Sequence, residues 1–189
     1  MQSRTRQSAF GVGVITMCLT GSMAAVAVAD VPSSTSTGPT TTVSPYILPA
    51  APGVHITSLL TVNDLPAENG VPMVGIPDGL GAYTEDGKLI ALLNHEIAGN
   101  LGAVRAHGQT GAFVSRNVID PSTGAVLATT DLIRSVRYWD YAGGTWAGAP
   151  TGGFSAALNR FCSGALTAPG QLYDATPGTG YEGQVYFAN

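Results

Sequence analysis

Three short segments of the sequence carry side chains that could together bind a metal ion. Carboxylate, amide and thiolate groups are the ligands from which hard and borderline metal sites are built. Asp78 lies in GIPDGLG, which the sequence predicts to be a turn, Asn94 and Glu96 lie in LLNHE at the end of an apolar strand, and Cys162 lies in LNRFCSG.

Each of these residues also has a purely structural interpretation. Asp78, between a proline and a glycine, could stabilise a turn through its own backbone. Asn94 and His95 could end the strand by bonding backbone groups, or His95 could orient a ligating carboxylate. Cys162 could act as a small buried hydrophobic side chain.

Basic side chains are scarce, so the few that adjoin these segments are candidates for binding an anion. The segment VRAHG contains Arg105 and His107, and Arg160 precedes Cys162 by two residues. A guanidinium group can bind two oxygens of a phosphate dianion at once. We therefore take Arg105 and His107 as candidate catalytic residues, with a surface ion pair as the alternative for either arginine.

Residues 1–29 are predicted to be a secretory signal peptide. Arg4 and Arg6 precede an apolar stretch that ends in the cleavage signal Ala27-Val28-Ala29. A membrane-anchoring helix is the alternative. Cleavage would place the chain outside the cytoplasm, secreted or periplasmic, with no stable membrane insertion, and would remove Cys18, leaving Cys162 without a disulfide partner in the chain.

The remaining composition excludes some partners. After cleavage six basic residues stand against twelve acidic ones, so no cluster of positive charge is available to bind a nucleic acid. Residues 30–53 are rich in Pro, Ser and Thr, and we expect a linker. The alternative is that Tyr46, Ile47 and Leu48 dock onto the domain.

Residues 54–189 are predicted to be all-β. Short apolar runs alternate with turn residues, which is typical of successive hairpins, although LTAPGQLYDA could hold one short helix. Four-stranded antiparallel meanders are the blades of β-propellers, and this length suffices for about three blades. The sequence ends on the strand-like run VYFAN, and we expect the natural domain to continue, so that this is a partial propeller.

In this order, IPDGLGAY, LLNHE, VRAHGQTGAFVSR and NRFCSGAL resemble the PhoX-type alkaline phosphatases and their relatives of unassigned function. The resemblance covers roughly residues 59–189. It implies a β-propeller whose central face holds an iron and calcium cluster that hydrolyses small-molecule phosphate monoesters outside the cytoplasm. It also implies that Cys162 ligates iron and that Asn94 and Glu96 belong to the metal site.

The sequence departs from this family after the cysteine. The better-known members have a Trp-rich stretch ending in paired metal-binding glutamates, whereas SGALTAPGQLYDATPGTGYEGQVYFAN follows here. We therefore expect the first part of a metal site without full catalysis. The alternatives are a non-catalytic β-propeller module for binding or scaffolding, and a truncated chain without function; the oligomeric state stays open.

Overall fold

The computed structural model describes residues 32–148 and 156–189. All regular structure in these two ranges is β-structure, which confirms the predicted class, and the segment predicted as a signal peptide lies outside them. The strands are β1 Ser34–Thr37, β2 His55–Ser58, β3 Ile76–Glu85, β4 Lys88–Glu96, β5 Phe113–Ile119, β6 Val126–Asp131, β7 Arg137–Asp140, β8 Thr145–Gly148, β9 Gly164–Leu166, β10 Leu172–Asp174, β11 Thr179–Tyr181 and β12 Tyr186–Ala188.

Strands β3 to β6 form one four-stranded antiparallel meander, paired in chain order. Asp86 and Gly87, which join β3 to β4, both have positive φ (49° and 73°), the conformation that a two-residue hairpin turn requires. The other strands pair two by two, as β1–β2, β7–β8, β9–β12 and β10–β11. No ring of blades closes within the described ranges.

The suggested helix in LTAPGQLYDA is wrong. This segment begins at the last residue of β9 and contains a turn and β10 instead. Gly170 has φ +71°, and the amide of Gln171 donates to the carbonyl of Ala168 (3.2 Å). The Pro169-Gly170 pair therefore reverses the chain where a helix would have to continue.

The predicted linker is attached to the domain. Strand β1 pairs with β2 in parallel, which departs from the antiparallel pairing expected throughout. The hydroxyl of Thr40 accepts a hydrogen bond from the amide of Val126 (2.8 Å), and those of Thr41 and Thr61 lie 2.6 Å apart. Hydroxyl groups make this attachment, whereas the apolar residues Tyr46, Ile47 and Leu48 are exposed.

The two faces of the meander serve different purposes. Side chains alternate between the faces of a strand, so Ile90 and Leu92 of β4 face one way, together with Val114 of β5. These three form a buried core, against which Leu166 of β9 and Tyr186 of β12 pack. We call this the core face, and the side that carries the odd-numbered residues of β4 the opposite face.

The opposite face combines an apolar cavity with a buried polar chain. The cavity, of about 380 Å³, is lined mainly by apolar side chains of the sheet and of the segment before it. Beside it, the Thr129 hydroxyl donates to Asn117 (2.8 Å), whose amide donates to Ser115 (2.8 Å), and the Ser115 hydroxyl lies 2.8 Å from Nε2 of His95. These bonds satisfy polar groups that would otherwise be buried at a cost.

Glycines let the β9–β12 pair approach β3 closely. The segment that the sequence predicts as a turn, Gly75–Gly81, lies largely within β3. A Cβ on Gly79 would lie 2.1 Å from the amide nitrogen of Gly164, and one on Gly81 would lie 2.8 Å from the Cβ of Leu166. A strand glycine where another backbone approaches is a recurrent use of this residue.

The Gly79→Ala variant tests this close approach. The added methyl group would force β3 away from Gly164, and we expect it to lower the free energy of unfolding by about 1–3 kcal/mol. Gly99→Ala is the matched control, because its nearest neighbour would lie at an ordinary 3.4 Å. Urea denaturation of both variants measures the difference; equal stability would contradict the close approach.

Candidate metal centre

Asp78, Glu96 and Cys162 come together on the core face. Each offers one ligand atom, a carboxylate oxygen or the sulfur, and these three atoms all lie within 4.8 Å of one another. The residues come from β3, from the end of β4 and from the segment before β9. We call this group the Asp-Glu-Cys cluster. Asp78 and Cys162 are exposed, and Glu96 is partly buried.

A β-bulge directs Asp78 into the cluster. Pro77 pairs with His95 and Leu80 pairs with Leu93, so Asp78 and Gly79 together stand opposite Asn94. The extra residue shifts the alternation of side chains along β3, which places the Asp78 carboxylate on the same side of the sheet as Glu96. Bulges of this kind are frequent beside active sites because they redirect a side chain.

Backbone hydrogen bonds hold Cys162 in place. Its carbonyl oxygen accepts from the amide of Gly79 (2.7 Å) and from Nδ2 of Asn94 (3.2 Å). Its own amide donates to the carbonyl of Asn189 (2.5 Å), and its thiol lies 3.6 Å from the carbonyl oxygen of Arg160. The backbone is thus fixed while the sulfur stays accessible.

Asn94 joins β4 to the Cys162 segment through its buried side-chain amide, and its predicted role as a metal ligand stays a prediction. The side chain is fully buried. Its amide nitrogen donates to the carbonyls of Cys162 and Ser163, and its oxygen lies 3.0 Å from the Tyr186 hydroxyl. The amide is therefore committed to joining β4 to the Cys162 segment. The alternative interpretation, bonding of backbone groups, describes this contact.

Tyr186 and Gly79 are the contributors that the sequence analysis missed. The Tyr186 hydroxyl lies 3.0 Å from the carbonyl oxygen of Gly79 as well as from Asn94, and burial raises the pKa of this phenol. Two glycines spaced by two residues within a strand, Gly79 and Gly81, are a signal of close backbone approach. No comparable signal marks Tyr186.

Among the described residues, Arg160 is the cation that contacts the cluster. Its Nη1 lies 3.1 Å from Oε1 of Glu96, and the guanidinium side chain is 56% exposed. Arg160 has φ +48°, which is uncommon for a residue that is neither Gly, Asn nor Asp. Its amide donates to the carbonyl of Ile97 (3.1 Å), which holds this turn against the end of β4.

The structure does not bring Arg105 and His107 to the cluster. Arg105 stacks on the ring of Phe113, with its central guanidinium carbon 3.6 Å from the ring centre, and pairs with Asp131. Phe113 and Asp131 belong to the opposite face, in register with His95 and Ser115. The segments LLNHE and VRAHG are close in sequence. Because side chains alternate between the two faces of the sheet, Glu96 nevertheless lies on the core face and Arg105 on the opposite face.

The two buried histidines differ in their hydrogen bonding. The carbonyl of Val74 can only accept, so Nδ1 of His95 donates to it (2.5 Å) and Nε2 accepts from Ser115. His95 also stacks on Phe113. His107 is buried, and within the described residues neither of its ring nitrogens has a partner. Burial lowers the pKa of both side chains, and the nearby Arg105 lowers them further. The hydrogen bond to Val74, for His95, and the charge of Asp131, for both, act in the opposite direction.

The donor set of the cluster fits a borderline metal ion. Oxygen and sulfur ligands of such ions lie about 2.0–2.3 Å from the metal, and hence roughly 3.3–3.8 Å from one another in a tetrahedron. The ligand atoms of the cluster are up to 4.8 Å apart. Rotation of the exposed side chains of Asp78 and Cys162 would shorten these distances to the range that a bound metal requires. A thiolate favours iron or zinc over calcium, which prefers oxygen ligands only. The cluster therefore fits iron better than calcium.

Comparisons with protein-family models, with curated proteins and with solved structures found no match to this chain. None of the residues in the two described ranges belongs to a helix long and apolar enough to span a membrane.

The buried histidines predict a stability that falls in mild acid. Because the folded state lowers both pKa values below about 6.5, the unfolded chain binds more protons below that pH. We expect the free energy of unfolding to be highest above about pH 7 and to fall towards pH 5. His95→Gln and His107→Gln should each flatten this dependence in urea denaturation. An unchanged slope in both buried-site variants would contradict the assignment.

Proposed function

We propose that this chain holds a transition-metal ion between Asp78, Glu96 and Cys162, as the metal centre of an extracytoplasmic phosphatase that hydrolyses phosphate monoesters. One observation carries the proposal: three side chains of ligating type, from three separate segments, place their ligand atoms within 4.8 Å of one another. The resemblance to the PhoX-type alkaline phosphatases supports iron as this ion, calcium as a second one, and β3–β6 as a blade of a β-propeller.

A metal ion held by Asp78, Glu96 and Cys162 would polarise phosphoryl oxygens and would generate a nucleophile from water at neutral pH. The fold of the chain determines where the three candidate ligands lie. The bulge of β3 presents Asp78, the end of β4 presents Glu96, and Asn94 holds the Cys162 segment against both. The exposure of Asp78 and Cys162 leaves the outer side of the cluster open to a small substrate.

The exposed thiol favours a bound metal in an oxidising compartment. Cys162 is exposed and free, and an accessible thiol outside the cytoplasm is open to oxidation. A thiolate bound to a metal is no longer a free nucleophile. This agrees with the export that the sequence of residues 1–29 predicts.

A metal-binding module without catalysis is the second candidate. Arg105 is paired with Asp131 and His107 is buried, both away from the cluster. Arg160 is thus the one cation that contacts a cluster residue in the described part of the chain. A phosphatase usually needs more positive charge than this around the phosphoryl group, so the geometry supports the metal site more strongly than turnover.

Metal content measured by elemental mass spectrometry tests the proposal. We expect the wild-type chain to retain iron or zinc at near stoichiometry after dialysis, and Cys162→Ala, Glu96→Gln and Asp78→Asn each to bind it at least about tenfold more weakly, since even groups that only support ligands contribute that much. Glu68→Gln, at an exposed carboxylate outside the cluster, is the matched control. Retention of metal by all three cluster variants would refute the site.

A phosphate-monoester assay on the same samples separates the two candidates. Turnover that disappears with Cys162→Ala and persists with Glu68→Gln would establish the phosphatase. Stoichiometric metal without turnover would establish the binding module.

A further inference from the structure

We infer that Arg160 couples metal binding to oxyanion binding: it neutralises Glu96 when no metal is present, and is released to bind a phosphate oxyanion when a metal takes Glu96. This inference rests on the proposed function and assigns a role to a residue of the same site. Its starting point is the single hydrogen bond between Nη1 of Arg160 and Oε1 of Glu96 (3.1 Å).

The ion pair and the proposed metal site compete for one carboxylate. Glu96 is one of the three candidate ligands, and its side chain is 20% exposed. A cation between Asp78, Glu96 and Cys162 would attract the carboxylate that now holds Arg160 and would repel the guanidinium. A bound metal would therefore weaken this pair.

The backbone keeps Arg160 beside the site when the pair breaks. The Arg160 amide donates to Ile97, its carbonyl oxygen lies 3.6 Å from the Cys162 sulfur, and the next side chain, Phe161, packs against the core. Only the guanidinium, which is 56% exposed, is free to move. It would stay within reach of a group bound on the open side of the cluster.

The charges determine which ligand Arg160 would then bind. The two carboxylates repel anions, so we expect a phosphate oxyanion to bind only after a metal ion has offset their negative charge. Apart from Glu96, the guanidinium has no hydrogen-bond partner in the described ranges, which leaves donors for two oxygens of a phosphate group. The other arginine considered for this role, Arg105, is committed to Asp131.

Calorimetric titrations with Zn²⁺ and with inorganic phosphate test this coupling. We expect wild-type protein to bind phosphate only after loading with Zn²⁺. Arg160→Gln should bind Zn²⁺ about twofold to fivefold more tightly, because it no longer competes for Glu96. The Zn²⁺-loaded variant should bind phosphate about 10- to 100-fold more weakly, the contribution of a charge-assisted hydrogen bond.

Two further variants isolate the role of the guanidinium. Arg160→Lys keeps the charge but loses the paired donors, so its phosphate affinity should also fall. Arg134→Gln removes an exposed arginine that has no ion pair in the described residues, and both affinities should stay unchanged. Phosphate binding that is independent of Zn²⁺, or unchanged in Arg160→Gln, would overturn the coupling while leaving the metal centre intact. Failure of wild-type protein to bind Zn²⁺ would refute the metal centre itself, and the coupling with it.

Discussion

The contact between the bulge of β3 and the Cys162 segment determines where every candidate ligand lies. It is possible because residue 79 has no side chain, and it is held by the Gly79 amide and by Asn94, which both donate to the carbonyl of Cys162. The same contact brings Tyr186 against Gly79 and Asn94. If the two segments lay farther apart, the Cys162 sulfur would be out of reach of the carboxylates of Asp78 and Glu96.

Neighbouring residues of β4 serve opposite faces of the sheet. Asn94 joins the core face to the Cys162 segment, whereas His95 anchors the polar chain that includes Ser115 on the other side. Both side chains are buried and form hydrogen bonds through their polar atoms. Asn94 and His95 therefore mainly stabilise the end of the central strand β4. Glu96 is the residue of the LNHE run whose carboxylate belongs to the Asp-Glu-Cys cluster.

The hairpins could be predicted from sequence because their signals are local. Apolar alternation and the Asp86-Gly87 turn determine the pairing of β3 with β4 without reference to the rest of the chain. Asp78, Glu96 and Cys162 were expected in one site from their residue types and from the family resemblance, and the structure places them together.

The other parts of the site depend on distant contacts, which sequence does not record. A bulge changes the face of Asp78, and nothing in GIPDGLG distinguishes that bulge from a turn. Arg105 lies near LLNHE in sequence, but its partner Asp131 is 26 residues away at the end of β6 and belongs to the opposite face. The hydroxyl contacts that attach residues 32–53 likewise join positions such as Thr40 and Val126, 86 residues apart.

X-ray absorption at the metal edge is the most direct test of the metal centre, because it identifies the atoms around the ion. For protein loaded with iron or zinc, the account predicts one sulfur scatterer at about 2.3 Å with oxygen scatterers at about 2.0–2.2 Å, and loss of the sulfur contribution in Cys162→Ser. A spectrum from the wild-type protein that contains only oxygen or nitrogen scatterers would show that Cys162 does not bind the metal, and would contradict the account.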